Sequence, residues 1–509
     1  MALPTRRNIL LLGSLFLLQV SMLLRPVDAD CRAQLLQASP GNAGMEGWVD
    51  ADTPEDSCTR LLPSFAAAYQ LVFSDEFNTP DRDFRAAAQD PKWTAQNLYY
   101  SATNDVEVYK PEQVTVDGGA AVLTIERLPD GETATAPVQQ ASGEIQDVSK
   151  QFKSGMLQGW SKFCYTGGYV EASIQLPGNE LASGLWPAFW AMGNLGRAGY
   201  LASTAGVWPY SYNTCEGSGP LPWSSLDGQL ITACPGDPPG VNRAAWGLHP
   251  EQGRGGPEFD VFEVVTAVGG AAPPHTSQTL QMAPVMPPGT DWGTGPAAGG
   301  VAYPGAGSSF NTRRNSWQGS LGRPGNEYQD SISALSDLGP SFYTDQHTYG
   351  VDWRPGQYLR WYIDGQLLYE VNQQALVAQT NASGAAVGPR LIPMEPMYLI
   401  LNLAMSPDFG EIEYERLTFP SQMKVDWIRV YQPVDQINVG CSPPEFPTAQ
   451  YVACNRKKFI VSEEEEGMLI TDVCGTPVSN AAATAAPSSL LLMKVAMLAA
   501  ALAAALQML

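Results

Sequence analysis

Short apolar runs separated by turn signals fill the chain between about residues 69 and 433, and they restrict its possible folds more than any other feature. Gln113–Arg127 reads as a hairpin that turns at 117–119, and Leu359–Val371 as a second that turns at 364–365. The other predicted strands are Tyr69–Ser74, Gly168–Leu176, Met397–Ala404 and Met423–Tyr431. No long stretch has a helical period. The sequence therefore predicts an all-β, antiparallel β-sandwich of the jelly-roll type, with long loops rich in Gly and Pro.

The charge of the chain narrows the classes of partner. Its 509 residues include 51 acidic and 29 basic side chains, a formal net charge of −22. A polyphosphate would be repelled, so nucleic acid is not an expected partner. Only 16% of the residues are charged, which does not fit a coiled coil or a helical bundle rich in Lys and Glu. The 13 Trp and 20 Tyr residues suit a β protein with aromatic surfaces.

The N-terminus predicts entry into the secretory pathway. In residues 1–29, Arg6 and Arg7 come before an apolar run, and a small-x-small cleavage pattern ends at Ala29, as in a signal peptide. An uncleaved signal anchor is the alternative, although the apolar run is short for a bilayer span.

The C-terminus predicts attachment to a membrane. Small residues around Asn480 come before a spacer and an apolar stretch, so that residues 481–509 resemble a lipid-anchor signal with Asn480 as the candidate attachment site. A transmembrane helix with Lys494 near one end is the alternative. Both interpretations place the protein at a plasma membrane or cell surface, or on the lumenal side of the endoplasmic reticulum and Golgi.

Eight cysteines in a secreted chain favour disulfide bonds. Cys215 and Cys234 bracket one loop rich in Pro and Gly and are the best candidate pair. The chain has no CxxC motif and three His residues, so we expect no metal site and no cofactor, although structural calcium stays possible. Asn381 begins an N-glycosylation sequon, which predicts a surface position.

The remaining segments complete the predicted domain organisation. Residues 30–68 read as an irregular leader held by Cys31 and Cys58, residues 69–433 as the sandwich, and residues 434–480 as a cysteine-bearing tail. The acidic run Glu463–Glu466 in that tail is most simply a solvated segment. Two stretches rich in Gly, Pro and Ala, 205–257 and 266–340, are read as walls around a site or as idle surface insertions.

One strand, residues 257–265, carries Glu258, Asp260 and Glu263. In an unbroken strand side chains alternate between the two faces, which would separate Glu263 from the other acids. One extra residue at 261–262, a β-bulge, would restore the phase and turn all three carboxylates to one face.

Three carboxylates on one face repel one another, which raises the pKa of at least one of them and leaves another ionised. Retaining glycoside hydrolysis requires this combination. There one carboxylate attacks the anomeric carbon and a protonated one, about 5–5.5 Å away, donates to the leaving oxygen. Two other readings stay open. The strand could lie at a sheet edge with a charged outer face, or the acids could bind calcium, although calcium ligands usually come from a loop.

The spacing ExDxxE of these three acids resembles the bulged motif of glycoside hydrolase family 16. Further segments resemble that family in the same order: Phe73–Phe77, Gly168–Glu171, Leu185–Trp190, Trp361–Gly365 and Val425–Tyr431. A closer similarity is to the branch associated with β-1,6-glucan synthesis in fungal-type cell walls, in the segments Met192–Tyr200, Gly206–Cys215 and Gly440–Thr448. The resemblance covers about residues 69–452 and implies a concanavalin-like jelly roll.

The resemblance also implies roles for individual residues. Glu258 is similar to the nucleophile of the family, Glu263 to its acid/base, and Asp260 to the helper between them. Three further residues are candidates for sugar binding, with ordinary core aromatics as the alternative: Trp186, Trp190 and Trp208. Flat aromatic faces suit the C–H faces of pyranose rings.

We therefore expect a membrane-tethered protein of the secretory pathway that acts on β-glucan polysaccharide or oligosaccharide in cell-wall assembly, as a retaining hydrolase or transglycosylase. Ser173 stands where many hydrolases of the wider family have Arg, and the loops after Trp190 and Glu263 are longer, which disfavours simple endo-hydrolysis. A non-catalytic β-glucan-binding assembly factor and a plain endo-β-1,3-glucanase are the alternatives.

Overall fold

The computed structural model describes residues 31–38, 45–212, 229–232, 253–283, 299–317, 330–380 and 386–468. The strands in these ranges are β1 Thr59–Arg60, β2 Tyr69–Asp75, β3 Thr94–Ala95, β4 Glu107–Tyr109, β5 Val114–Asp117, β6 Ala120–Arg127, β7 Ala134–Gln139, β8 Ile145–Lys150, β9 Phe152–Ser154, β10 Met156–Gln158, β11 Gly168–Gln175, β12 Trp186–Gly193, β13 Ile231–Thr232, β14 Gly253–Arg254, β15 Glu258–Val265, β16 His275–Met282, β17 Val301–Ala302, β18 Arg313–Arg314, β19 Asp330–Asp337, β20 His347–Arg354, β21 Tyr358–Ile363, β22 Gln366–Asn372, β23 Gln379–Thr380, β24 Ala386–Val387, β25 Met397–Ala404 and β26 Ser421–Gln432.

Helices in the described residues are short. The α-helices are α1 Cys31–Ala38, α2 Leu201–Thr204 and α3 Ala449–Cys454. The 3₁₀ turns are Met45–Trp48, Glu55–Ser57, Ala86–Ala88, Ser101–Thr103, Pro111–Gln113, Val268–Gly270, Pro340–Tyr343, Gln373–Leu376, Val434–Gln436, Arg456–Lys458 and Glu463–Met468. Among the helices described, none has the length and apolar character needed to cross a membrane.

The strands form two large sheets. The back sheet has twelve strands, with the order β17-β22-β21-β20-β11-β26-β6-β9-β4, and with β2 added to β26, β1 to β2 and β5 to β6. The site sheet has eight, with the order β18-β19-β16-β15-β12-β25-β10-β3. Their pairs are antiparallel except β4 with β9, which is parallel. The predicted all-β, mainly antiparallel class is confirmed.

The hydrophobic core lies between the two sheets. Phe259 of β15 packs against Trp353 of β20 with ring centroids 5.7 Å apart, and Phe262 against Tyr349 at 4.3 Å. All four side chains are at most 1% exposed. Burying each large apolar side chain contributes about 2–3 kcal/mol, and this packing fixes β15 as a central strand whose other face is left for the site.

Both predicted hairpins are confirmed. β5 and β6 are joined through Gly118 and Gly119, with φ of 61° and 81°, and β21 and β22 through Asp364 and Gly365, with φ of 48° and 73°. Two successive positive φ values define the tight turn whose twist matches the strands it joins, and Gly and Asp tolerate that conformation.

Both stretches that the sequence predicted as loops, 205–257 and 266–340, contain strands. The region 266–340 includes β16 and β19, which pair with each other over eight residues and belong to the site sheet. The prediction of a continuous loop is wrong there because β16 (HTSQTLQM) has too few apolar residues to read as a strand. Its polar side chains are buried on both faces of the strand, where they form hydrogen bonds.

Disulfide bonds tie the leader and the tail to the sandwich. Cys31 bonds to Cys58 and brings α1 onto the core, where Leu35 is 1% exposed. Cys164 bonds to Cys441 across 277 residues, and Cys454 is disulfide-bonded as well. The predicted pair Cys215 and Cys234, the sequon at Asn381, Asn480 and the segments 1–29 and 481–509 lie outside the described residues. The domain boundaries stay predictions.

The tail corrects one expectation about the acidic run Glu463–Glu466. Glu465 is only 6% exposed and pairs with the guanidinium of Arg197 at 2.8 Å, whereas its three acidic neighbours are exposed. A buried guanidinium requires a charged partner. Three residues of the run are therefore solvated, and Glu465 alone among the four is buried and attaches the tail to Arg197.

Candidate active site

The strand register places a bulge in β15 at residues 261–262. Asp260 pairs with Thr279 and Glu263 with Ser277 of β16, so two residues of β15 lie opposite one residue of its neighbour. The pairing with β12 shifts at the same place. The bulge predicted from the acid spacing is confirmed.

The bulge sorts the side chains of β15 between its two faces. The apolar residues lie in the core at 2% exposure or less: Phe259, Val261, Phe262 and Val264. On the other face Asp260 donates a hydrogen bond to the Glu258 carboxylate, and the charge of Glu263 acts on both. Glu258 and Asp260 are 8% and 2% exposed, and Glu263 is half-buried. The three acids thus form one cluster.

Each outer carboxylate of the cluster accepts an indole N–H. Trp208 Nε1 donates to Glu258 Oε2 at 2.7 Å, and Trp186 Nε1 donates to Glu263 Oε1 at 3.1 Å. Sequence reasoning placed these two tryptophans near the sugar but did not foresee that they would contact the acids.

Asp260 is held from both sides of the sheet. Gln281 Nε2 donates to its carboxylate at 3.4 Å, and Trp361 of the back sheet donates to its main-chain carbonyl at 2.8 Å.

Burial raises the pKa of every acid in the cluster. It raises the pKa of Glu258 to about 8 and that of Glu263 to about 7, while burial and the neighbouring charge of Glu258 raise the pKa of Asp260 well above its usual value. Asp260 therefore keeps its proton and donates it. Glu258 accepts two hydrogen bonds, from Trp208 and Asp260, whereas Glu263 accepts one from Trp186. Hydrogen bonds to the charged form favour ionisation, so these two bonds offset part of the effect of burial on the pKa of Glu258.

The tryptophans of β12 differ in their surroundings. Trp186 is half-buried, and Phe409 stacks on one of its faces at 3.9 Å between centroids and 4° between planes. Trp190 is 7% exposed, lies in a second hydrophobic cluster and donates its N–H to Asn402 at 2.8 Å. Trp190 thus has the surroundings of a core aromatic, the alternative that the sequence left open. The assignment of these tryptophans to sugar binding stays a prediction.

A group of hydroxyls beside the acids was missed from the sequence. Ser277 and Thr279 lie opposite Glu263 and Asp260, and their oxygens are 3.0 Å apart and within 3.0 Å of the hydroxyl of Ser333 on β19. The alternation of Ser, Thr and Gln in residues 275–282 is the signal that could have identified a polar strand face.

A second buried acid pair lies beyond β25. Glu107 donates to Asp105, which also accepts hydrogen bonds from Thr103 at 2.6 Å and from Tyr109 at 3.5 Å. Burial raises the pKa of Asp105 to about 7 and that of Glu107 well above its usual value. In the described part of the chain, no three or more His, Cys, Asp and Glu side chains come together as a metal site.

A family model described as β-glucan synthesis-associated protein SKN1/KRE6/Sbg1 matches residues 32–463. The chain belongs to this family. The match to the SKN1/KRE6/Sbg1 family extends the similarity beyond residues 69–452, so that it includes α1 of the leader from its second residue and α3 of the tail.

Curated members of the SKN1/KRE6/Sbg1 family are about one-third identical to the chain. The β-glucan synthesis-associated protein SKN1 of Candida albicans is 36% identical over 429 residues, which are 79% of this chain and 50% of that protein. KRE6 of Saccharomyces cerevisiae is 35% identical over 428 residues, 81% of this chain and 53% of that protein. The chain thus spans about half the length of the curated relatives it matches.

Solved structures with a similar arrangement are more distant. The laminarinase catalytic domain of Thermotoga maritima is 20% identical with a TM-score of 0.40, and the match covers 72% of this chain and 98% of that one. The endo-β-1,3-glucanase of Pyrococcus furiosus is 19% identical with a TM-score of 0.43, over 74% and 98% of the two chains. Likeness at this level carries no information on activity.

Proposed function

We propose that this member of the SKN1/KRE6/Sbg1 family acts on β-glucan of the cell wall as a retaining glycosidase or transglycosylase. One observation carries the proposal: the bulge in β15 brings Glu258, Asp260 and Glu263 into one buried cluster, with an indole donor on each outer carboxylate. The family match supports a glucan as the substrate. Binding alone does not require three crowded acids, whose burial destabilises the fold.

In the first step, a carboxylate oxygen of Glu258 bonds to the anomeric carbon while the bond from that carbon to the glycosidic oxygen breaks. Glu263, protonated because burial raises its pKa, gives its proton to the leaving oxygen. The product is a glycosyl ester of Glu258 with inverted configuration.

In the second step, a water or a sugar hydroxyl attacks the same carbon, and Glu263 takes up the proton that this oxygen loses. The ester bond to Glu258 breaks, and the second inversion restores the original configuration. Water as acceptor gives hydrolysis and sugar as acceptor gives transfer, and the family's association with glucan synthesis favours transfer.

The two described disulfides support the secretory part of the proposal. Cys31–Cys58 and Cys164–Cys441 persist in oxidising compartments, whereas cytosolic thiols are kept reduced. Attachment to a membrane through one end of the chain is part of the same proposal. Expression in a secretory host, followed by detergent partitioning and phospholipase release, tests for the lipid anchor.

The activity is tested with β-1,3- and β-1,6-gluco-oligosaccharides and product sizing. Longer products indicate transfer and shorter ones hydrolysis. Glu258→Gln should abolish turnover and leave binding largely intact, whereas Glu112→Gln, at an exposed position of the 3₁₀ turn Pro111–Gln113, should match the parent. Binding without any product in the parent would identify a glucan-binding assembly factor instead.

Azide rescue with an activated β-glucoside assigns the two roles. With Glu258→Ala, azide should replace the missing nucleophile and give an α-glycosyl azide after a single inversion. With Glu263→Ala, the ester still forms and azide should give a β-glycosyl azide. The opposite outcome would exchange the two assignments.

A further inference from the structure

The indole ring of Trp186 has to keep one orientation to hold Glu263. Its N–H donates to Glu263 Oε1 at 3.1 Å, and a hydrogen bond weakens steeply as its angle departs from linear. Trp186 is the first residue of β12 and pairs with Ala404 of β25, so the sheet fixes its main chain. The sheet does not fix the ring, because the χ2 torsion of Trp is broad. A separate contact is needed to set the ring plane.

Phe409 supplies this contact. Its ring lies parallel to the Trp186 ring, with 3.9 Å between centroids and 4° between planes. A parallel ring at van der Waals distance blocks rotation of the indole toward that side, and the contact between the two aromatic rings is itself favourable. Phe409 belongs to the segment between β25 and β26, residues 405–420, which we call the β25–β26 loop.

Phe409 is itself held by Ser406, which is 1% exposed. The Ser406 carbonyl accepts the main-chain N–H groups of Phe409 and Gly410, each at 3.2 Å. The Ser406 hydroxyl accepts the N–H of Asp408 at 3.0 Å and donates to the main-chain carbonyl of Thr103. The turn that carries Phe409 is therefore closed on itself and joined to the chain segment before β4.

The second buried acid pair supports the same turn. Glu107 Oε2 accepts the main-chain N–H of Met405 at 3.1 Å. Glu107 and Met405 are both fully buried, so loss of this carboxyl would leave a buried main-chain N–H without its acceptor. Thr103, which holds Ser406, also donates to Asp105 at 2.6 Å. The acid pair and the turn thus form one hydrogen-bonded unit.

A second anchor holds the loop on the other side of Phe409. Ser183, three residues before Trp186, donates its hydroxyl to the carbonyl of Glu411 at 2.7 Å. The main-chain N–H of Ser183 donates to the Glu413 carboxylate at 2.9 Å, and its carbonyl accepts the N–H of Glu413 at 3.0 Å. Phe409 therefore lies between two fixed points of the loop, one of which is bonded to the chain just before Trp186.

We propose that Phe409 is a positioning residue for the acid/base: it sets the plane of the Trp186 ring, and the anchored β25–β26 loop holds it there, so that the indole N–H stays on Glu263. This inference rests on the proposed function, because it assumes that Glu263 exchanges a proton with the glycosidic oxygen. It gives the buried pair Asp105 and Glu107, which the proposed reaction does not use, a role in supporting that position.

The basic limb of the pH profile of kcat/KM with a soluble gluco-oligosaccharide tests the inference, since that limb reports loss of the proton from Glu263. In Phe409→Leu the indole is free to turn away, and Glu263 loses the hydrogen bond that favours its charged form, so its pKa rises. We expect the limb to move to higher pH by about half a unit. Phe409→Tyr, which restores a flat ring, should return the limb to its place in the parent. The other acids of the cluster, Glu258 and Asp260, are unchanged in both variants.

A double variant separates positioning from general packing. Once Trp186→Phe has removed the indole N–H, adding Phe409→Leu should move the limb no further. Ser406→Ala keeps the Phe409 ring and removes the hydroxyl that joins the loop to Thr103, and it should move the limb in the same direction by a smaller amount.

Phe65→Leu is the matched control, because Phe65 stacks on Tyr69 of the back sheet at 4.2 Å between centroids and 13° between planes. It loses the same kind of contact and should leave the limb in place. Circular dichroism establishes that each variant is folded. A limb that moves in neither Phe409→Leu nor Ser406→Ala, or a shift in Phe409→Leu that adds in full to that of Trp186→Phe, overturns the inference and leaves the proposed function standing. A parent without turnover on any of the gluco-oligosaccharides overturns the proposed function and the inference together.

Discussion

Trp208 donates its indole N–H to the carboxylate of Glu258 at 2.7 Å, although the two residues are 50 positions apart. The contact is braced by the neighbouring backbone, because Gly256, two residues before Glu258, donates to the carbonyl of Val207 at 2.8 Å. The donor and the start of the acidic strand are therefore held as one unit. This arrangement gives Trp208 a role in the charge of the cluster that does not depend on stacking against a sugar.

Replacing Trp208 by Phe should move the acidic limb of the pH–activity profile to higher pH. Phe keeps an aromatic ring but loses the N–H that stabilises the charged form of Glu258, so the pKa of Glu258 rises further above its usual value. A shift of about one unit corresponds to about tenfold lower kcat/KM on the acidic side. The measurement is kcat/KM across pH with a soluble gluco-oligosaccharide.

Trp427→Phe is the control for this change, because Trp427 lies on the back sheet, where Arg429 covers its ring at 4.0 Å. It should leave the profile unchanged. A uniform loss of activity in Trp208→Phe with no movement of the limb would mean that the indole serves packing alone.

Replacing Trp186 by Phe should act on the other limb. The lost N–H is the one that Glu263 accepts, and its removal raises the pKa of Glu263. Because Glu263 works in its protonated form in the first step, the basic limb should move to higher pH by up to about one unit. Movement of the acidic limb instead would mean that the roles of the two glutamates are exchanged.

The hairpins and the bulge could be predicted because their signals are local. Gly118, Gly119 and Gly365 supply the positive φ values that tight turns need, and the spacing of Glu258, Asp260 and Glu263 allows one common face only with an extra residue. In each case the residues that create the signal are the residues that form the structure.

The surroundings of the acids could not be predicted because they depend on contacts between distant segments. Arg197 and Glu465 are 268 positions apart, and nothing near either residue identifies its partner. The polar strand β16 lacks the apolar alternation by which strands are recognised, since its site face carries hydroxyls and its core face includes Gln278. The burial of Trp190 likewise follows from the segment that folds over β12, not from β12 itself.

Replacing Glu465 by Ala should destabilise the fold by about 3–5 kcal/mol. The change leaves the guanidinium of Arg197 buried without its charged partner, and it also removes the acceptor of the Tyr200 hydroxyl and of the main-chain N–H of Val461. Urea unfolding followed by tryptophan fluorescence measures the loss.

Glu463→Ala provides the matched control two residues away, at an exposed position of the same acidic run. It should change the free energy of unfolding by no more than about 0.5 kcal/mol. Equal effects in the two variants would contradict the anchoring of the tail through Glu465.

Replacing Glu107 by Gln should make stability less dependent on pH. Burial raises the pKa of Asp105 to about 7 and that of Glu107 well above its usual value, so the folded state holds protons that the unfolded chain releases near pH 4. A carboxyl group whose pKa is raised in the folded state stabilises the protein at low pH. This stabilisation is lost as the pH rises toward the folded-state pKa. The parent should therefore lose stability between pH 5 and pH 8.

Glu107→Gln, which keeps the shape of the side chain and cannot ionise, should lose at least about 1 kcal/mol less over the same interval. Urea unfolding at both pH values gives the comparison, with Glu112→Gln expected to follow the parent. The same slope in Glu107→Gln and the parent would mean that the pair titrates in the folded protein as it does in the unfolded chain.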